Sequence, residues 1–349
     1  ALRVAGQPEL LEPADVAQFP QRRVQRRPLR HLQVGQGLQQ AVGVQQRVVP
    51  AGLQRGGQRR GITPPGRQVE QARTDGGGGQ GGYAVGVHRQ KIVIVTPALA
   101  DANNGNWQTA RRWRQMLAPA YRVQLAADWQ AGQPGGDADL MVALHARRSA
   151  PAVAAWRAAQ PQRPLLLVLT GTDLYRDIQG DPAAQRSLAL ADLLVVLNAL
   201  GARSLPGPLQ AKCRVVLQSC PARQPLSKPQ RHLRALMVGH LRDEKDPDTY
   251  LRAARRLAGR PDILLDHIGR PLDPALGAAA TALAAAQPSY RWLGGLPHAA
   301  TRRRIQQAHL LVHPSRMEGG AHVVIEALRS GTPVLASRID GNLGLLGDD

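Results

Sequence analysis

The sequence predicts an α/β protein built from two doubly wound parallel-sheet units facing a cleft, and three observations carry that prediction. From Lys91 onward, short unbroken apolar runs alternate with helical stretches. The alternation halts in a proline-rich segment, 221–232, and then restarts at Ala235. Strands buried on both faces read as continuous Val/Ile/Leu runs, and regular strand–helix alternation builds doubly wound sheets.

Lys91-Ile-Val-Ile-Val-Thr-Pro97 is the first such run. A helix is expected at 106–118, with strands near 121–126, 139–145, 164–170, 193–198 and 214–218, and helices near 149–160 and 182–190. Three prolines and few apolar residues make Pro221 to His232 a linker. In the second unit, strands are expected at 235–241, 263–268, 290–293, 309–313 and 333–336. Helices are expected at 246–258, 273–286, 298–307 and 321–330. The domains are thus 91–220 and 233–349. The second is expected to be incomplete, since a last strand and helix would follow Asp349. Two such units leave a cleft between the carboxyl ends of their sheets, where open α/β folds bind ligands.

Residues 1–90 stand apart: rich in Arg, Gln and Gly, with almost no Ile or aromatics. Such a block cannot bury enough apolar surface to offset chain entropy, which predicts disorder. A wrongly assigned start of translation and an RNA-binding arm are the other readings. The block holds 13 Arg, no Lys and five acids, a surplus of +8 out of the net +20, which leaves +12 on the other 259 residues. That remainder is spread over mixed-sign helices without a basic, aromatic-interleaved stripe, so nucleic acid is not the expected partner.

Cys213 and Cys220 are too few for a disulfide framework and lack zinc spacing. No run reaches the roughly 20 apolar residues of a membrane span. A cytoplasmic protein with no integral membrane segment is expected. Asp137-Ala138-Asp139 has the Asp-x-Asp pattern of a metal site, but it opens a strand rather than ending one. No metal and no cofactor are expected.

The most informative passage is His313-Pro-Ser-Arg-Met-Glu318-Gly-Gly-Ala-His-Val-Val-Ile-Glu326, continuing through Gly331-Thr-Pro333-Val. Gly319 and Gly320 let backbone N–H groups approach a ligand. The helix opened by Ala321, His322 and Val323 would aim its positive end into the cleft, where a diphosphate is stabilised. A second cluster is Gly239-His240-Leu-Arg242-Asp-Glu-Lys245. Its cations, Arg242 and Lys245, are candidates to hold an anionic group and stabilise charge that develops on it.

These motifs resemble glycosyltransferase family 4, whose members have the GT-B fold. The resemblance is strong at 309–342 and weak in the first half. It implies a UDP-sugar co-substrate, with Glu326 on the ribose hydroxyls, Glu318 on the donor sugar and Lys245 on the diphosphate, where Arg242 would compensate for the family's missing Arg. His240 stands where the family commonly has Arg.

On the acceptor side, Asn104-Gly105-Asn106 at the head of a basic helix suits a phosphate or similar oxyanion. His145 ends a strand and is a candidate to bind the donor sugar or act as a base. A packed or solvent-facing histidine is the other reading. Thr172 and Asp173 end the next strand. Asn104-Gly-Asn-Trp-Gln-Thr109, Leu169-Thr-Gly-Thr-Asp-Leu174 and Gly239–Pro247 are similar to the selenosugar synthases of selenoneine biosynthesis. That resemblance implies UDP-glucose or UDP-N-acetylglucosamine as donor and selenophosphate, or another small acceptor, as nucleophile. An anionic selenium needs no strong general base. Transfer to a hydroxyl acceptor, a UDP-sugar epimerase and a nucleic-acid-binding protein are the competing readings.

Overall fold

A computed structural model describes residues 89–347 apart from 98, 100–104 and 134. The expectations for 1–90 therefore fall almost wholly outside the described residues, as does Asn104.

The first unit contains β1 (Lys91–Val95), α1 (Gly105–Leu117), β2 (Arg122–Ala126), β3 (Leu140–Leu144), α2 (Ala150–Ala159), β4 (Leu165–Leu169), α3 (Pro182–Leu190), β5 (Leu193–Val196) and β6 (Cys213–Val215). All its strands are parallel, in the order β2-β1-β3-β4-β5-β6. The second unit contains β7 (Leu233–Val238), α4 (Pro247–Arg256), β8 (Ile263–Ile268), α5 (Pro274–Ala286), β9 (Tyr290–Trp292), α6 (His298–Gln307), β10 (Leu310–His313), α7 (His322–Leu328), β11 (Val334–Ala336) and α8 (Asp340–Leu346). Its sheet is also parallel, ordered β11-β10-β7-β8-β9. Strand order thus reverses direction beside β1 in one sheet and beside β7 in the other, and each reversal opens a crevice at the carboxyl ends.

Every residue of β3 and β4 is buried, as continuous Leu/Val runs require. One face of the first sheet packs Ile92, Ile94 and Val142 on Trp113 and Leu117 of α1. The other packs Val93, Met141 and Leu167 on Val153 and Trp156 of α2, where Trp129 meets Trp156 edge-on at 5.0 Å. In the second unit Met237 and Leu265 pack on Tyr250 and Leu251 of α4. On the opposite face Leu236 and Leu311 meet Ile305 and Val324. Fully burying each such side chain is worth about 1.5–3 kcal/mol, which fixes both sheets as rigid mounts for the loops at their edges.

Beyond shifts of a few residues at element ends, such as the strand expected at 235–241 lying at Leu233–Val238 and that near 214–218 ending at Val215, two features differ from the sequence expectation. The helix expected at 321–330 is only His322–Leu328, because Gly331 turns left-handed (φ +67°) and the chain bends back so that Thr332 N–H reaches the Ala327 carbonyl. Helix α8 has no counterpart in the sequence reading, since Asp-Gly-Asn-Leu-Gly-Leu-Leu is weak in helix formers. It crosses back to the first unit: Ala199 N–H donates to the Gly344 carbonyl at 3.0 Å.

Candidate functional site

Glu318 lies in the loop after β10 and is 7% exposed. Lys245, at the end of the single turn Asp243–Lys245 after β7, places Nζ 2.5 Å from Glu318 Oε1. His313, the last residue of β10, brings Nε2 to 3.1 Å from the same oxygen without hydrogen-bond alignment. Burial opposes ionisation of Glu318, but Lys245 and then His313 outweigh it and hold the carboxyl well below its ordinary range. Gly341 passes directly over this loop; a Cβ there would lie 1.8 Å from the Glu318 carbonyl oxygen. The Lys245 stem packs on Gly239, so Gly239, Lys245 and Glu318 form one wall at the carboxyl edge of the second sheet.

His240 does not supply the missing cation. Its Nδ1 accepts from Arg270 N–H at 3.1 Å, and its pKa is pushed down to about 4 by burial and then by Arg270, Arg242 and Lys245. It is neutral at pH 7. Arg242 is half-buried, and its Nε is 3.7 Å from Glu244 Oε2, an acid that also meets Arg176 of the other unit at 3.1 Å.

Glu326, in the second turn of α7, is 6% exposed rather than solvated. His298 Nε2 sits 2.7 Å from its Oε1, and the fully buried Arg302 brings Nη1 to 3.6 Å. Arg302 also donates to the Pro221 carbonyl at 3.1 Å, tying the linker to the acid. Both partners come from α6. Sequence reasoning missed them, because a His and an Arg on a basic helix carry no local sign of facing a carboxylate. Val323 is half-buried, and Ala321 is buried as the N-cap.

The two units touch through the glycine loop. A Cβ on Gly319 would meet the Thr170 carbonyl carbon at 2.3 Å and Gly171 N at 2.6 Å. One on Gly320 would meet Leu197 Cβ at 2.6 Å. Asn198, fully buried, donates to the Gly319 carbonyl at 2.8 Å. The glycines therefore permit the close approach of one lobe to the other. His322 is largely enclosed, with burial holding its pKa near 4, and its Nε2 lies 3.2 Å from Thr109 Oγ1. Thr109 donates to the Gly105 carbonyl at 2.9 Å and accepts from Gln218 at 2.6 Å, so His322 is the donor in that contact. This brings the first turn of α1, where Gly105 is exposed and Asn106 half-buried, against the head of α7.

At the end of β3, His145 is buried in the left-handed region (φ +75°). Arg148 N–H donates to its Nδ1 at 3.4 Å, and Nε2 lies 3.0 Å from Thr172 Oγ1. Burial depresses its pKa despite Asp173 and Asp177. The neutral ring therefore carries its proton on Nε2, and both nitrogens are committed to the protein. Thr172 is half-buried and precedes a π-helical turn, Asp173–Asp177. Asp173 is fully buried and accepts from the N–H groups of Ala146, Thr170 and Gly171, each at 2.9 Å; it organises the loop. Asp137 and Asp139 lie at the opposite, amino edge of the sheet, where Asp139 accepts from Lys91 N–H at 2.8 Å and Asp137 pairs with Lys91 Nζ. No cluster of three or more metal-ligating side chains occurs among the described residues, nor does any helix long and apolar enough to cross a membrane.

Two parallel α/β units closing on a cleft, with two buried glutamates eight residues apart at the edge of the second, give the chain the GT-B fold. Residues 221–349 match the family of glycosyl transferases group 1. No curated protein sequence matches the chain. Among solved structures, sucrose-phosphate synthase from Thermosynechococcus elongatus is 16% identical, at a TM-score of 0.58 over 74% of this chain and 83% of that one. HepE of Anabaena, solved with UDP and glucose, is 16% identical with a TM-score of 0.54 and the same coverage. The lipopolysaccharide outer core galactosyltransferase WaaB is 14% identical, at 0.51 over 71% and 80%. The chain spans 43% of the length of TarM from S. aureus.

Proposed function

We infer that the protein transfers a hexose from a UDP-sugar to a small anionic acceptor, and that the acceptor is selenophosphate. The observation that carries the donor half is the pairing of Lys245 with the ionised, buried Glu318, beside a second buried acid, Glu326. In this reading Glu326 holds the ribose hydroxyls and Glu318 a donor-sugar hydroxyl, while Lys245 and Arg242 face the diphosphate. As the sugar C1–O bond breaks, negative charge grows on the departing UDP. A cation already fixed at that point stabilises the transition state more than the ground state. A neutral His240 leaves Lys245 and Arg242 to supply that charge.

The acceptor half rests on the resemblance of 104–109, 169–174 and 239–247 to selenosugar synthases, and on chemistry at the first lobe. His145 has no nitrogen left to take a proton, so a nucleophile that is already anionic suits the site better than a hydroxyl. Selenium would attack C1 as UDP leaves with the bonding pair. No metal or further cofactor enters this scheme, and the reaction belongs to a cytoplasmic enzyme.

The test is to incubate the full chain with UDP-glucose or UDP-N-acetylglucosamine and selenophosphate, and to follow products by mass spectrometry. A selenium-bearing sugar supports the reading. Transfer only to hydroxyl acceptors rejects the acceptor half, and epimerised UDP-sugar without any acceptor rejects transfer altogether.

A further inference from the structure

On the second sheet, away from the cleft, three arginines converge on one acid. Asp266 of β8 is fully buried. Its register neighbour Arg291 on β9 places Nε at 2.7 Å and Nη2 at 2.5 Å from Oδ1. Arg234 of β7 pairs in register with Leu264, two residues before Asp266, and so points to the same face. Its Nε is 3.6 Å from Oδ2. Arg304, in the last turn of α6, completes the set at 4.0 Å.

One carboxylate cannot balance three guanidinium groups, so the cluster keeps a surplus of two positive charges. Burial and then the neighbouring Arg291 and Arg304 pull Arg234 below the usual arginine range, although Asp266 opposes the shift. A buried donor is left over as well: Arg234 Nε has no hydrogen-bond partner. Arg291 and Arg304 each keep more than a third of the side chain exposed, at 37% and 38%, so a ligand can reach them from solvent. Guanidinium groups gathered within contact of one atom pair match the size and forked geometry of a phosphate.

We propose that Arg234, Arg291 and Arg304, gathered by Asp266, form a second anion site that takes a phosphate-bearing ligand. The site is separate from the donor cleft. Helix α6 reaches Glu326 through His298 at its first residue and Asp266 through Arg304 near its last, roughly 9 Å apart along the helix at ~1.5 Å per residue.

The experiment titrates inorganic pyrophosphate into the full chain, at fixed ionic strength, with and without saturating UDP to fill the cleft. One binding event is expected to persist under UDP and to weaken about tenfold or more in R291Q/R304Q. R303Q, an exposed neighbour on the same helix, should keep it. If the protein binds no UDP at all, the event persists in both arms, which separates failure of the donor reading from failure of this one. A parallel arm offers vesicles containing anionic phospholipid. Binding of free pyrophosphate identifies a soluble phosphate compound, and binding of vesicles alone identifies a headgroup. Both support the site if R291Q/R304Q weakens them about tenfold or more. No binding in either arm, or binding unchanged by R291Q/R304Q, overturns it. Should the double variant unfold, R304Q, which removes the loosest of the contacts, gives the same reading.

Discussion

Lys245 Nζ stands 2.5 Å from Glu318 Oε1, joining the loop after β7 to the loop after β10 across the edge of the second sheet. Breaking a buried ion pair by removing one partner leaves an uncompensated charge, at a cost of about 3–5 kcal/mol. Lys245→Met should therefore lower unfolding stability by ~3 kcal/mol at pH 7 in urea titration, with His313 softening the loss by sharing the carboxylate. Lys245→Met/Glu318→Gln should recover most of that stability while remaining inactive. A double variant no more stable than the single one would show that the pair contributes nothing to the fold.

Gly341 tests the packing over the same loop. An alanine Cβ would sit 1.8 Å from the Glu318 carbonyl oxygen, a backbone atom that cannot yield alone. Overpacking of this kind costs about 1–3 kcal/mol, so Gly341→Ala should lower the thermal midpoint and loosen the contact of α8 with the first lobe. Gly180→Ala, with open space around it, serves as control and should change stability by less than ~1 kcal/mol. Equal effects from the two substitutions would remove Glu318 from the explanation.

Acid should weaken the fold through buried histidines. His240, His267 and His322 are each held to about 4, burial being the leading cause. Their folded values lie below the ordinary one, so between about pH 6.5 and 4 the unfolded chain binds more protons. Stability is then complete above pH 6.5 and falls as pH drops through that window, by up to ~1.4 kcal/mol per pH unit for each histidine. His267 is caught between Tyr290 OH at 3.0 Å and the Gly239 carbonyl at 3.2 Å. His267→Gln should make the acid limb of a stability–pH curve measurably shallower, and an unchanged slope would exclude His267 as a contributor.

Much of this architecture is written locally. Val93, Met141 and Leu167 sit in runs that only a strand covered on both faces would carry, and Glu318 with Glu326 stands out because glycines and a strand end frame the spacing. What was hidden depends on contacts far apart in sequence. Asn198 meets Gly319 121 positions away, and Thr109 meets His322 213 positions away. Neither pairing leaves a trace in the neighbouring residues. Gly319 and Gly320 show the difference most clearly: the residue type implies a close approach, but only the fold says that Thr170 and Leu197 of the opposite lobe make it. Arg302 was invisible for the same reason, as one of several arginines on a basic helix.

Glu326 carries the last prediction, because its environment separates a ligand-binding acid from a structural one. If it served the fold alone, His298 at 2.7 Å and Arg302 at 3.6 Å would be its whole purpose, and Glu326→Gln would reduce stability without touching UDP. If it also grips ribose hydroxyls, the amide replaces a charged acceptor by a neutral one, and each such hydrogen bond is worth about 1.5–3 kcal/mol. UDP affinity should then fall about 10- to 100-fold by calorimetry. The loss should be far smaller for 2′-deoxy-UDP, which lacks one of the hydroxyls. Equal losses for the two nucleotides would assign Glu326 to packing, with α7 held in place by Arg302 rather than by the donor.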